Sequence, residues 1–230
     1  MTDLLLLPGL LCDRTVWQAQ VDGLANVAKP KVIDYGHCDS LVVMAERTLA
    51  EAPSRFALAG HSMGARVALE VMRIAPERVE RLALLDTGIH TLRPGETEKR
   101  MQLVELAYRE GMAALCEAWL PPMAHPDRIA DDALMQPLRE MVMHFTPERH
   151  EAQIKALLTR PDPAPLLSAI ACPTLVGVGR QDAWSPPAQH EAIAQAIPGA
   201  RLIVFENAGH FAPCEAPDQV TKAMWAWLAA

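Results

Sequence analysis

The chain has 230 residues, of which 50% are hydrophobic and 21% charged, and it carries a formal net charge of −7. That much apolar material builds a sizeable core in one or two domains and excludes both a disordered chain and a disulfide-stapled miniature fold. The acidic balance, without any Lys/Arg run, speaks against a nucleic-acid partner and against an anionic membrane surface. The five cysteines, Cys12, Cys38, Cys116, Cys172 and Cys214, are scattered and form no CxxC pair. They read as reduced thiols in a cytoplasmic setting. Met1-Thr2-Asp3-Leu4 lacks a basic segment, and the apolar run from Leu4 to Leu7 is only strand length. Neither a signal peptide nor a spanning helix is expected.

In chain order, short apolar runs alternate with helical patterns, the signature of βα units on a parallel sheet. The candidate strands are Leu4 to Leu7, Lys31 to Asp34, Arg55 to Ala59, Arg81 to Leu85, Thr174 to Val178 and Arg201 to Phe205. Most are apolar on both faces, as expected of strands covered by helices from both sides. Helices are expected over Leu41 to Ala52, Met63 to Ile74, Pro186 to Ala196 and Asp218 to Leu228. The second is apolar except for Arg66, Glu70 and Arg73, and therefore buried; the third would be capped by Ser185. Between Gly88 and Ala171 the rhythm breaks into four or five consecutive helices, with Pro94, Pro126 and Pro147 as helix starts and Thr146 as an N-cap. This stretch reads as a helical insertion over the carboxyl ends of the strands.

Gly60-His61-Ser62-Met63-Gly64 is a G-x-S-x-G directly after an apolar strand and directly before an apolar helix, the context a nucleophile elbow requires. So tight a turn strains the serine backbone and exposes its hydroxyl, and the helix aims free N–H groups and a positive dipole end at the same spot. A serine hydroxyl needs a base, itself oriented by an acid. His210 follows the last candidate strand, and Asp182, in Gly179-Arg180-Gln181-Asp182, follows the strand before it. Asp86, also just beyond a strand end, is the rival acid, with Asp182 favoured for its nearness in strand order to the His210 loop. Developing charge on a carbonyl oxygen would be met by the backbone N–H of Met63 and by one from the loop Pro8-Gly9-Leu10-Leu11, with Leu10 preferred over Leu11.

Leu7-Pro8-Gly9-Leu10, Gly60-His61-Ser62-Met63-Gly64, Gly179-Arg180-Gln181-Asp182 and Gly209-His210 together resemble the α/β-hydrolase superfamily over nearly the whole chain, and among its members the serine carboxylesterases that carry a helical cap. The resemblance implies a doubly wound, mainly parallel sheet of about six strands, with residues 1–87 and 172–230 as the core and 88–171 as a helical cap. It implies Ser62 as nucleophile, His210 as base, Asp182 as acid, and Leu10 and Met63 as oxyanion donors. It departs from the family in having Pro8-Gly9 where His-Gly is usual, and in beginning at the family's third strand, so that six strands, all parallel, are expected. Ser62 sets it apart from the dehalogenase and epoxide-hydrolase branches, whose nucleophile is aspartate.

The function this implies is a serine hydrolase acting on a small carboxylic ester, lactone or thioester through an acyl-enzyme, with no cofactor and no metal. The alternative is a carbon–carbon bond hydrolase, lyase or menaquinone-pathway synthase, in which Ser62 and His210 move protons; Ser-Met-Gly-x-Arg, Ser62 to Arg66, occurs among those synthases. Gly177-Val178-Gly179 lacks the third glycine of a dinucleotide fingerprint, and His144 with His150 is spaced wrongly for a metal pair on one helix face. Cys12 and Cys214 near the site loops read as small apolar filler. Arg66 and Glu70 are expected to pair along their helix. Met101, Met112, Met123, Met135, Met141 and Met143 are read as helix-packing core before pocket wall. His90, Arg139 and His144 are unranked candidates to place a polar group in the pocket.

Overall fold

The computed structural model describes residues 1–230. In chain order its strands and helices are β1 (Thr2–Leu7), α1 (Gln18–Gly23), β2 (Ala28–Val32), α2 (Leu41–Glu51), β3 (Phe56–His61), α3 (Met63–Ile74), β4 (Val79–Leu85), α4 (Glu96–Trp119), α5 (Asp132–Met143), α6 (Pro147–Leu158), α7 (Ala164–Leu167), β5 (Thr174–Gly179), α8 (Pro187–Ala196), β6 (Arg201–Phe205), α9 (Ala212–Glu215) and α10 (Pro217–Ala229). The six strands form one sheet in the order β2-β1-β3-β4-β5-β6, and every pairing is parallel. The α/β fold read from the sequence, with a six-stranded parallel sheet, is the fold observed. β3 and β5 are buried along their full length, which explains their unbroken apolar character.

The strand order reverses direction at β1. The chain winds from β1 outward to β2, crosses back to β3, and then continues away through β4, β5 and β6. With right-handed crossovers this puts α1 on one face and α2 and α3 on the other. A crevice opens at the carboxyl ends of β1 and β3, where the connections diverge, and this is where open α/β sheets bind ligands.

Two sequence expectations are corrected at element ends. The second strand is Ala28–Val32, not Lys31 to Asp34. It is an edge strand, in which Lys29 and Lys31 alternate with Ala28, Pro30 and Val32, and an edge position tolerates both the lysines and the proline. Helix α4 begins at Glu96, with Gly95 rather than Pro94 at its boundary, and breaks at Gly111, whose φ is +85°. The segment between β4 and β5 otherwise holds α5, α6 and α7, with short 3₁₀ turns at Pro121–Met123 and Pro126–Arg128. Thr146 caps α6 by accepting from the Arg149 amide at 3.3 Å. Val104, Leu115, Trp119, Met135, Leu138 and Met141 from these helices join the side chains of the sheet layer in one continuous apolar cluster. No helix is long and apolar enough to cross a membrane.

A single residue, Ser62, joins β3 to α3. Ser62 has φ +55° and ψ −116°, a conformation that costs a non-glycine residue about 1–3 kcal/mol. It is held there by its own amide donating to the Leu85 carbonyl at 2.9 Å and by the Thr87 hydroxyl donating to the Ser62 carbonyl at 3.0 Å. The close approach also explains Gly64, where a Cβ would run into the Leu7 and Pro8 carbonyls at the end of β1. Both obstacles are backbone, so nothing can swing aside. Gly64→Ala is expected to destabilise the protein by about 3 kcal/mol or more, read as a fall in urea midpoint or as loss of soluble protein.

Candidate active site

The carboxyl ends of β3, β5 and β6 bring Ser62, Asp182 and His210 together. Nε2 of His210 lies 2.7 Å from Oγ of Ser62, and Nδ1 lies 2.8 Å from Oδ2 of Asp182. Oδ1 of Asp182 accepts from the Trp184 and Ser185 amides at 2.9 and 2.8 Å, and its Oδ2 accepts from the Ser185 hydroxyl at 2.7 Å. Burial opposes ionisation of Asp182, but the facing His210 and the Ser185 donors outweigh it and hold the carboxyl below its usual range. A carboxylate so placed fixes the imidazole with its proton on Nδ1 and leaves Nε2 to accept from the serine. Ser185, read from the sequence as the cap of α8, does not cap it; Pro186 stands at that boundary, and Ser185 serves Asp182 instead.

Asp86, the rival acid, lies elsewhere in the network. Its Oδ1 accepts from the Gly179 amide at 2.9 Å, its Oδ2 has no hydrogen-bond partner, and it makes no bond to His210. Burial, and next the charge of Asp182, push its carboxyl well above the usual range, favouring the neutral acid. His61 is also fully buried. Burial, then His210, bring its imidazole down to about 3, so the ring is neutral. Its Nε2 lies 2.7 Å from the His210 carbonyl, which can only accept; the proton is therefore on Nε2, and His61 ties the His210 loop to the elbow. His190 does the same for the next loop by accepting from the Thr87 amide at 2.8 Å.

The loop after β1 lies against the elbow, with Gly9 so close that a Cβ there would stand 3.1 Å from Cβ of Ser62. Of the two oxyanion donors weighed, Leu11 is engaged: its amide donates to Oε1 of Gln153, on α6, at 2.9 Å. The Leu10 amide has no partner within the chain, and Leu10 lines the same recess as Ser62 and Met63. Met63 opens α3, where the first amides have no intrahelical acceptor. Gln153 is buried, so Gln153→Leu strands the Leu11 N–H and is expected to destabilise the fold by about 1–3 kcal/mol in urea unfolding.

The recess beside Ser62 is about 510 Å³, part of it open to solvent, and shares Leu10, His90, Arg100, Trp119, Met123 and Trp184 with a larger neighbour, so the two form one cleft. Of the polar candidates left open by the sequence, His90 reaches this cleft. Arg139 faces Asp132 at 3.6 Å, and His144 lines a separate recess beside Asp34 and Arg149. Met123 is the only one of the six insertion methionines that lines the cleft, while Met135 and Met141 are core. Cys12 and Cys214 are free thiols that burial pushes up, Cys214 to about 12, so both stay protonated. The Arg66–Glu70 pair does not form: Glu70 accepts from Arg73 at 3.1 Å, and Arg66 turns to the His90 carbonyl at 3.1 Å. Arg66, Arg100 and Trp184 are cleft features the sequence reading did not assign to the pocket. The one signal available was the charge of Arg66 in an otherwise apolar helix.

Glu96 sits among these arginines. Burial works to raise its carboxyl, but hydrogen bonds from Arg160 and Arg100 outweigh that and bring it down to about 2. A carboxyl depressed by folding adds stability above its unfolded value and loses it as pH falls through the folded value. Glu96→Gln is therefore expected to lower the melting temperature at pH 7, with the gap to the unmodified protein closing between about pH 4.5 and pH 2, followed by calorimetry across that range.

The fold and this arrangement define an enzyme of the hydrolase class. The chain belongs to the alpha/beta hydrolase family, whose model matches residues 4–223. It is 28% identical over 232 residues to the pimeloyl-[acyl-carrier protein] methyl ester esterase of Nitrosomonas europaea, an alignment covering 94% of this chain and 92% of that one. A relative from Klebsiella pneumoniae is 32% identical over 178 residues, and there the alignment covers 73% of this chain and 63% of the relative's length. Among solved structures it resembles a thermophilic esterase from Thermogutta terrifontis with malate bound, at a TM-score of 0.91 and 31% identity over 100% of this chain and 90% of that one. It also resembles the enol-lactonase from Burkholderia xenovorans, at a TM-score of 0.90 and 25% identity over 100% of this chain and 92% of that one.

Proposed function

We propose that the protein is a serine hydrolase that cleaves a small carboxylic ester, lactone or thioester through an acyl-enzyme, with Ser62, His210 and Asp182 as its triad. The observation that carries this reading is the unbroken line of hydrogen bonds from Ser62 Oγ through His210 to Asp182, 2.7 and 2.8 Å long, at a strained elbow. Oγ attacks the substrate carbonyl as its proton passes to Nε2 of His210. The imidazolium then forms opposite the Asp182 carboxylate. The oxyanion is met by the Met63 and Leu10 amides, and loss of one such donor typically raises the barrier by about 3–4 kcal/mol. His210 returns the proton to the leaving alkoxide or thiolate, giving the acylated Ser62 and free alcohol or thiol. Water, deprotonated by the same imidazole, releases the acid and restores the serine. Helices α4 to α7, within residues 88–171, act as the cap, and the substrate enters between that cap and the sheet. Relatives named for a methyl ester, an enol-lactone and general esterase activity support this substrate range.

The test is partitioning of the intermediate. With methanol added, phenyl acetate and p-nitrophenyl acetate are expected to give the same ratio of methyl acetate to acetate, because both pass through one acetyl-enzyme. Ratios that differ with the leaving group contradict the acyl-enzyme. Turnover of vinylogous diketones without any ester activity would favour the proton-transfer chemistry of carbon–carbon hydrolases.

A further inference from the structure

The cleft wall next to Ser62 carries more positive charge than the chain neutralises. Arg66, one turn into α3, and Arg100, on α4, both line the recess that holds Ser62. Arg160, just beyond α6, lies behind them with its side chain 1% exposed and its donors satisfied by Glu96 and by the carbonyls of His90, Thr91 and Leu157. Glu96 also accepts from Nε of Arg100 at 2.8 Å, so a single carboxylate serves two guanidinium groups. The acid that lines the recess itself, Asp86, has its carboxyl pushed well above the usual range by burial and by Asp182, which disfavours its charged form.

Arg66 bears the deficit. It is 8% exposed, and its one hydrogen bond within the chain runs from Nη2 to the His90 carbonyl. Nε and Nη1 have no acceptor within the chain and stay open to the cleft. Anchoring the His90 segment does not account for Arg66, because Arg160 already donates to that same carbonyl at 3.2 Å. Burial, and next the charge of Arg160, push the Arg66 guanidinium down to about 9, the mark of a cation whose surroundings do not compensate it. Arg100 is half committed in the same way: with Nε on Glu96, its guanidinium carbon lies 5.7 Å from the centroid of the Trp184 ring. Two guanidinium groups that face one recess, each with N–H groups uncommitted within the chain, match the geometry of a carboxylate, which each can bind through paired N–H groups.

We propose that the substrate is an anionic ester: the acyl half of the ester, thioester or lactone bears a carboxylate that Arg66 and Arg100 take up while the scissile carbonyl lies against Ser62. The proposal deepens the acyl-transfer reading above and rests on it for the identity of the reacting carbonyl. Arg66 follows Ser62 by four residues, about 6 Å along the helix axis. A short carbon chain therefore separates the two ends, as in half-esters of four- to six-carbon dicarboxylic acids.

The experiment compares kcat/KM for monomethyl succinate and monomethyl glutarate with that for methyl butyrate and methyl valerate, at low and high salt. The unmodified enzyme is expected to favour the half-esters by about 10-fold or more, with the preference shrinking as salt rises. Arg66→Met and Arg100→Met are each expected to bring that preference ratio most of the way back toward one, mainly through KM, and Arg66→Lys to restore part of it. A purely structural role for the arginines would lower both substrate classes together and leave the ratio unmoved. A preference at or below one in the unmodified enzyme, or a ratio unchanged in the variants, overturns the proposal. If no ester is hydrolysed, the acyl-transfer reading fails on its own, and calorimetric titration with monomethyl glutarate decides the anion site. Binding that Arg66→Met abolishes supports the site; no binding to the unmodified protein overturns it.

Discussion

Ser62→Ala is expected to lower kcat for p-nitrophenyl acetate by about four to six orders of magnitude while KM changes little. The hydroxyl is the group at the elbow that lies 2.7 Å from the His210 imidazole, so alanine would remove the proposed nucleophile and leave His210 without a proton to take. The residual rate would come from the Leu10 and Met63 amides polarising a bound carbonyl toward water. The fold should survive the change. The Ser62 backbone is held by the Leu85 carbonyl and the Thr87 hydroxyl, and neither contact involves the Ser62 side chain. Circular dichroism and the urea midpoint are expected to stay close to those of the unmodified protein. Turnover within tenfold of normal in a well-folded Ser62→Ala protein would remove Ser62 from the mechanism.

Asp182→Asn is expected to lower kcat by about 10⁴-fold, whereas Asp86→Asn changes it by less than about tenfold. Both carboxyls are buried near β5, but their surroundings set them apart. Asp182 receives three donors besides His210 and is held ionised, so its amide would lose the charge that opposes the imidazolium and would favour the wrong tautomer. Burial and Asp182 push the Asp86 carboxyl up, toward the neutral form to which an amide is close to an isostere, and the amide oxygen can still accept from the Gly179 amide at 2.9 Å. Steady-state kinetics of the two variants on one ester decide between the acids. The reverse ranking would assign the role to Asp86.

The parts of the fold that were legible in the sequence are those where one local pattern has one physical reading. β5 and β3 are apolar runs because helices cover both their faces, and α3 is apolar except for Arg66, Glu70 and Arg73 because it is buried against the sheet. β2 was misplaced because an edge strand has no such constraint, and its Lys-Pro-Lys centre resembles a loop. The Ser62 motif could be read because a strand-to-helix elbow demands small flanking residues, and Gly64 against the Leu7 carbonyl shows why. Longer-range contacts left no trace in local spacing. Gln153 reaches Leu11 across 142 residues, and nothing in either segment announces it. Arg66 was visible as a charge in an apolar helix, but its partner was misjudged. Helical spacing favours Glu70, yet the side chain is long enough to leave the helix and enter the cleft. Ser185 failed for a related reason, since a hydroxyl three residues after an aspartate can cap a helix or bond the carboxylate, and only the turn geometry decides.

The central claim is that the Ser62 oxygen forms a covalent bond to the substrate's acyl carbon with the help of His210. The most direct measurement is intact-mass and peptide mapping after treatment with a fluorophosphonate. One adduct per chain is expected, on the peptide containing Ser62, with loss of ester turnover in proportion to labelling and with labelling strongly slowed in His210→Ala. A folded, ester-hydrolysing protein that remains unlabelled, or that carries its adduct on another residue while Ser62 stays free, would contradict it.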